Sequence, residues 1–181
     1  MPNLYLYIYR LCALNVAMID TYHFYWQFVT YMFIHGSWEH VLLNMLCLLC
    51  FGLHLERAVG SKEFLLFYFV CGTFSGILSY FVYKFTGNYY VSLLGASGAI
   101  YSVMFAYAVL YPRSVIYLWW VIPVPAPIMV ILYAIIELGS QIFFRNSGVA
   151  HLTHLFGFLT AYLYFLIRMG IHPIKVWKGL K

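Results

Sequence analysis

Ser97, within Gly95-Ala96-Ser97-Gly98, and His154, just before Leu155-Phe156-Gly157, are a nucleophile and a base, and each opens an apolar stretch long enough to enter a bilayer. Polar and ionisable groups are costly to hold at membrane depth, so they are functional candidates by default. A serine hydroxyl is a weak nucleophile until a neighbouring base takes its proton, and a neutral imidazole is the usual base. The chemistry this pair allows is acyl transfer, which inside a bilayer means hydrolysis in a membrane.

Acyl transfer also needs donors aimed at the oxyanion that develops. His40 and Asn44 stand i and i+4 on one helix face, so both can point at Ser97. A helix that starts at or near Ser97 leaves free backbone N–H groups and a positive dipole end there. Gly95 and Gly98 let the backbone bend and approach closely. Tyr101, one turn beyond Ser97 on the same face, is placed to pack its ring on the imidazole. Glu137 is the one carboxylate inside an expected span, so a Ser/His/Asp triad is not expected.

Other chemistries fit less well. A zinc peptidase of the H-E-x-x-H kind has no matching motif, and His151-x-x-His154 alone is an incomplete ligand set. Asp20 is the only Asp, which excludes a paired-aspartate mechanism. Neither a metal nor another cofactor is therefore expected. Each residue also has a plainer reading. Gly98, Ser102 and Ala106 form a small-residue packing stripe, and Asn44 or a membrane histidine serves well as an interhelical hydrogen bond. His35, His40, His151 and His154 together are a conceivable haem or metal set. Packing alone, however, does not require all these groups in one layer.

The elements that must position them are membrane helices. The 181 residues are 65% hydrophobic and 8% charged, with a mean hydropathy of +0.86, more apolar surface than a soluble fold keeps dry. One polytopic domain over 1–181 is expected, with no separate soluble part. The stretch from Leu4 to Ile19 is short and carries Arg10, so it reads as a partial or interfacial helix. The polar and aromatic segment Asp20 to Glu39 follows as an interfacial element anchored by Trp26, Phe33 and Trp38. Spans are expected from about His40 to Glu56, Glu63 to Phe85, Ser97 to Tyr111, a start after Pro123, Pro125 and Pro127 to Phe144, and Val149 to Arg168. The Cys47-x-x-Cys50 pair reads as helix packing.

Lys and Arg collect at one side, Arg57, Lys62, Arg113, Arg168, Lys175, Lys178 and Lys181, against Lys84 and Arg145 at the other. The first side is expected to be cytoplasmic, and with it the C-terminus. The net charge of +5 then reflects topology, and no nucleic-acid partner is expected. The helices starting at His40, Ser97 and Val149 run parallel, which gathers His35, His40, Asn44, Ser97, His151 and His154 in the outer half of the bundle.

These residues resemble the rhomboid family of intramembrane serine proteases. The likeness covers most of the chain: Trp26-Gln27-Phe28-Val29-Thr30 leading to His35, His40-x-x-x-Asn44, Glu56-Arg57 with Gly60-Ser61, Gly95-Ala96-Ser97-Gly98 with Tyr101, and Ala150-His151-Leu152-Thr153-His154 with Gly157. It implies an all-α integral-membrane bundle of six transmembrane helices, the first short or truncated here, because the stretch before Trp26 is shorter than a first span needs. It implies a Ser97/His154 dyad, an oxyanion site involving His40 and Asn44, and cleavage of transmembrane protein substrates near the outer face of a cell (inner) membrane. In similar sequences small residues follow the catalytic histidine at +3 and +7. His154 has Gly157 and Ala161 there, whereas His151 has His154 and Phe158. Ala161 and Ser102 stand where glycine is commoner, and both keep the helix faces small. The alternative is a catalytically inactive relative that binds membrane helices. Sequence is silent on the oligomeric state.

Overall fold

The computed structural model describes residues 2–118, 121–143 and 150–180. The chain enters its fold through a hydrogen-bonded knot. Helix α1 (Pro2–Cys12) gives way to strand β1 (Leu14–Asn15), which pairs antiparallel with the distant β2 (Ser92–Leu93). Asn15 then caps α2 (Val16–Tyr22), its side chain accepting from the Met18 N–H at 3.1 Å, and His23 closes that helix in the left-handed conformation at φ 59°. The Leu4 to Ile19 stretch is thus two helices rather than one, because a side chain that satisfies the backbone locally favours a cap over a helix interior.

Gln27, the first residue of α3 (Gln27–Thr30), is fully buried; it accepts from the Asn15 N–H at 3.1 Å and donates to the Arg10 carbonyl at 2.9 Å. Tyr31, equally buried, donates to the Gly72 carbonyl at 2.7 Å. Non-helical backbone away from water must find its partners inside the protein, and this knot supplies them. Trp26 and Phe33 on the same segment are exposed, and so is Trp38 beyond it.

Ser37 accepts from the His40 N–H at 3.2 Å and starts α4 (Trp38–Cys47). A π-helical turn, Leu48–Gly52, joins it to α5 (Leu53–Val59), and Gly60, at φ 82°, ends the rod. Cys47 is half-buried and Cys50 exposed, so the C-x-x-C pair is not core packing as a whole. Helix α6 (Ser61–Phe85) follows, then α7 (Ser97–Leu110). A two-stranded ribbon of β3 (Val115–Leu118) and β4 (Ile122–Pro125) carries Pro123 and Pro125, whereas Pro127 falls in the first turn of the helix that follows. Both strands are edges, a sheet position that tolerates proline. Helix α8 (Ala126–Phe143), α9 (His151–Ile167) and α10 (Pro173–Trp177) complete the chain. The expected span ends at Phe144 and Val149, with Arg145 between them, lie outside the described residues, as does Lys181.

Three rods, Trp38–Val59, Ser61–Phe85 and Ala126–Phe143, are long and apolar enough to cross a membrane. Their outward faces are apolar, as with Leu42, Leu46, Leu49, Ile135, Ile136 and Leu138, while Asn44, Ser75, Ser79, Ser102, Thr153 and Thr160 are buried. That distribution inverts the soluble pattern. The protein is an integral, multi-pass membrane protein with a largely helical fold.

Helix α7 is the centre of the bundle. It buries residues on every side, from Gly98 and Ala99 to Ala108 and Val109, as a helix apolar all round must. It packs against α6 and α9, which also pack on each other, and small residues bring the backbones together. A Cβ on Gly157 would stand 2.3 Å from the Gly98 carbonyl oxygen, and the Ser102 hydroxyl lies 2.8 Å from the Gly157 carbonyl and 3.0 Å from that of Gly98. Ser79 of α6 and Thr153 of α9 share a hydrogen bond of 2.7 Å.

Two outcomes follow from this packing. Gly157→Ala should lower stability by about 1–3 kcal/mol, since backbone has to move. Gly139→Ala, on α8 where an added Cβ meets nothing, should lower it by no more than about 0.5 kcal/mol; thermal unfolding in detergent reads both. At the rim, Lys84 at 2.8 Å first, and the Tyr80 hydroxyl second, hold the Asp20 carboxyl below its usual range. A carboxyl lowered by folding adds stability that is full above about pH 4 and is lost as pH falls through the lower folded value. The melting difference between the wild type and Asp20→Asn should therefore be present at about pH 7 and close below about pH 4.

Candidate active site

Ser97 is the first residue of α7, and its cap, Ala96, offers no side-chain acceptor to the first-turn N–H groups. His154 sits one turn into α9, only 8% exposed. The contact of Gly157 with the Gly98 carbonyl sets the distance between the two helices. At that spacing Ser97 Oγ and His154 Nε2 are 2.8 Å apart, hydrogen-bonded. The Tyr101 ring lies flat on the imidazole, with centroids 4.3 Å apart and planes 10° from parallel.

The other ring nitrogen meets a carboxylate. Glu137 of α8, 6% exposed, accepts from His154 Nδ1 at 2.9 Å and from the Tyr101 hydroxyl through the same oxygen, Oε1; its Oε2 takes His151 Nδ1 at 2.5 Å. An ionised carboxylate only accepts, so the proton of a neutral His154 ring belongs on Nδ1. Nε2 is then left with a lone pair facing the serine hydroxyl. Sequence gives Glu137 no part in the pair, and the structure brings its carboxylate to the far nitrogen of the His154 ring. Which face α8 turns to α9 is fixed by tertiary packing, and the 16 positions between Glu137 and His154 carry no periodic signal for it. A carboxylate alone in an apolar span was the available clue, since a buried charge needs partners.

The remaining candidates stand on the other side of the serine. The His40 ring rests directly on Gly95, where a Cβ would come within 2.6 Å of it, and Gly95 itself is at φ 111°, a conformation open to glycine. His35 and His40 rings meet edge to face at 5.0 Å, and His35 Nε2 lies 3.5 Å from the Ala96 N–H. Burial first, and the His40 ring second, hold His35 below the usual imidazole range, so it is neutral at pH 7. Asn44, one turn along α4 from His40, is buried, and its Nδ2 is the buried side-chain polar atom without a hydrogen-bond partner among the described residues. An unmade buried donor costs about 1–3 kcal/mol, which suits a group held ready for a partner that arrives later. His151 faces Glu137 rather than Ser97. Glu137, His151 and His154 each offer a ligand atom within 4.8 Å of the others, a group with the composition of a metal site.

The site thus combines a hydroxyl, an acceptor nitrogen 2.8 Å from it and a carboxylate behind the ring, and the Asn44 Nδ2 donor of α4 is left unspent. Residues 22–170 match the family model of the Rhomboid domain. The chain is similar to RHOMBOID-like protein 4 of Arabidopsis thaliana, 29% identical over 155 residues that cover 84% of this chain and 36% of that protein. It is similar to RHOMBOID-like protein 12, mitochondrial, of the same plant, 31% identical over 146 residues, 71% of this chain and 42% of that one. It is 29% identical over 140 residues to Putative rhomboid protease YdcA of Bacillus subtilis, covering 76% and 64%. The chain spans less than two thirds of the length of each of these relatives.

The geometry assigns the tautomer of His154, and nitrogen NMR on histidine-labelled protein in micelles checks it. Nδ1 should carry the proton and Nε2 should not, and Glu137→Gln should shift the equilibrium toward the opposite tautomer. A ring protonated at Nε2 in the wild type would refute the assignment.

Proposed function

The chain belongs to the rhomboid family, and we propose that within it the protein is an intramembrane serine endopeptidase that cleaves transmembrane segments of other membrane proteins. The observation that carries this reading is the 2.8 Å hydrogen bond between Ser97 Oγ and His154 Nε2, with a carboxylate on the far nitrogen. A helix-binding role needs neither.

In this reading Ser97 Oγ attacks the scissile carbonyl while His154 Nε2 takes its proton. Glu137 keeps the ring in the accepting tautomer and stabilises the imidazolium that forms, and the stacked Tyr101 ring holds its plane. The oxyanion is met by Asn44 Nδ2, by His40 and by the first backbone N–H groups of α7. His154 then returns the proton to the leaving amine, and a water activated by the same nitrogen releases the acyl group from Ser97. Gly95 and Gly98 keep the backbone close enough for these contacts.

Depth follows from helix length. Helix α7 has 14 residues, about 21 Å, against roughly 30 Å of hydrocarbon core, so with its far end held at one surface by Arg113 its serine end lies below the other. The β1–β2 ladder and the buried Gln27 satisfy the irregular chain that leads there. A single domain over 1–181, with α7 and α9 joining the three long rods and α1 as the short or truncated first member of a set of six, fits this arrangement. Charge asymmetry puts the C-terminus in the cytoplasm of a cell with the site toward the outer face. Substrates are membrane helices that unwind locally to present a carbonyl, so small or helix-breaking residues are expected near the cleaved bond. The resemblance to the family implies entry of such a helix beside the Pro123 to Pro127 region and α8.

Purified protein in proteoliposomes with a synthetic transmembrane substrate should give discrete products that Ser97→Ala and His154→Ala each abolish, and a fluorophosphonate should label Ser97 only while His154 is present. Cleavage that survives both substitutions would end the peptidase reading; binding without cleavage in the wild type would favour a helix-binding protein. Asn44→Ala should lower kcat by about 10²–10³ with a smaller change in KM. Glu137→Gln should lower it by about 10² or more.

A further inference from the structure

We propose that Glu137, His151 and His154 form a binding site for a divalent zinc-class metal ion, and that its occupation switches off the base at Ser97. The pair His151-x-x-His154 is an incomplete ligand set by itself, and α8 supplies the third member. Two imidazoles and a carboxylate are the donors of zinc sites that keep one position open for water. Their ligand atoms already lie within 4.8 Å of one another, and both Nδ1 atoms face the one carboxylate, at 2.5 and 2.9 Å. Zinc ligands at about 2.0–2.2 Å in a tetrahedral shell stand roughly 3.3 Å apart, so shifts of an ångström or so in the side chains complete the shell. The charges suit a dication: a buried carboxylate, and two rings that bind as neutral ligands. The group is not sealed: the side chains of His151, His154 and Glu137 keep 11, 10 and 8% exposure.

The switch follows from proton bookkeeping on one ring. Without metal, Nδ1–H donates to Glu137 and Nε2 accepts from Ser97. Metal binding uses the Nδ1 lone pair, so the N–H bond there breaks and the proton exchanges through water to Nε2. A metal–nitrogen bond and an Nε2–H bond replace it. The neutral ring loses no net proton and nothing is oxidised or reduced. Nε2 now donates to Ser97 Oγ and has no lone pair left to take the serine proton. The serine stays in place and is silent. Glu137 is also drawn to the metal, which removes the group that set the active tautomer. The switching half rests on the peptidase reading of the site; the ion site does not.

The test uses the full chain in micelles and proteoliposomes with buffered zinc chloride. Equilibrium dialysis should find one zinc per chain in the wild type and in Ser97→Ala, and His151→Gln should weaken it roughly tenfold or more. Zinc should stop cleavage of the synthetic substrate by the wild type, a chelator should restore it, and His151→Gln, scaled to its own zinc-free rate, should need roughly tenfold more zinc. X-ray absorption of zinc on the unmutated protein needs no variant to fold: it should read imidazole nitrogen at about 2.0–2.1 Å. Equal zinc affinity in His151→Gln, or sulfur scattering from the free cysteines, overturns the site. Zinc bound at the site with cleavage unchanged overturns the switch. If no protein cleaves the substrate with or without zinc, the peptidase reading fails while dialysis and absorption still decide the ion site.

Discussion

The contact of two helix backbones governs this molecule. Helices α7 and α9 touch at Gly98 and Gly157, where a Cβ on Gly157 would press within 2.3 Å of a carbonyl oxygen, and Ser102 ties the same spot with its hydroxyl. A serine at the head of one helix and an imidazole one turn into the other can share a 2.8 Å hydrogen bond only at this spacing. A methyl group in the interface would part them by more than a hydrogen bond tolerates. Small residues here are geometry for the site as much as packing for the fold.

A second constraint acts at right angles to the first. His154 and Glu137 are buried, so their polar atoms need partners within the protein. Glu137 is the case with the highest stakes: it gathers the Tyr101 hydroxyl and the Nδ1 atoms of two histidines around one carboxylate. That gathering links three helices, α7, α8 and α9, through a single side chain. It also orders the His154 ring, since a carboxylate on one nitrogen decides what the other can do. The same three groups have the composition of a metal-ligand set, their ligand atoms within 4.8 Å of one another. Asn44 stands apart, buried with its donor unspent.

The knot at the start of the fold obeys the same rule. The chain dips to the serine through strand β2 and a glycine at φ 111°, and β1, Asn15 and Gln27 satisfy the backbone around it. Polar residues that look out of place in so apolar a chain serve as backbone partners.

Sequence by itself determined the class and the candidates. Composition alone demands membrane helices, and hydropathy with glycine and charge punctuation located the rods to within a few residues. Ser97, His154, Tyr101, His40 and Asn44 were legible because uncommon polar residues stand out in apolar segments and because helix parity sends alternate spans in one direction. The breaks around Asn15 and the β3–β4 ribbon were not, since two- and four-residue ladders depend on partners elsewhere in the chain. Nor was Glu137. Its place behind the imidazole depends on the rotation of α8 about its own axis, and an apolar helix without a marked polar face does not reveal in one dimension which side it turns inward. Only packing in three dimensions sets that angle, and with it the proton on His154.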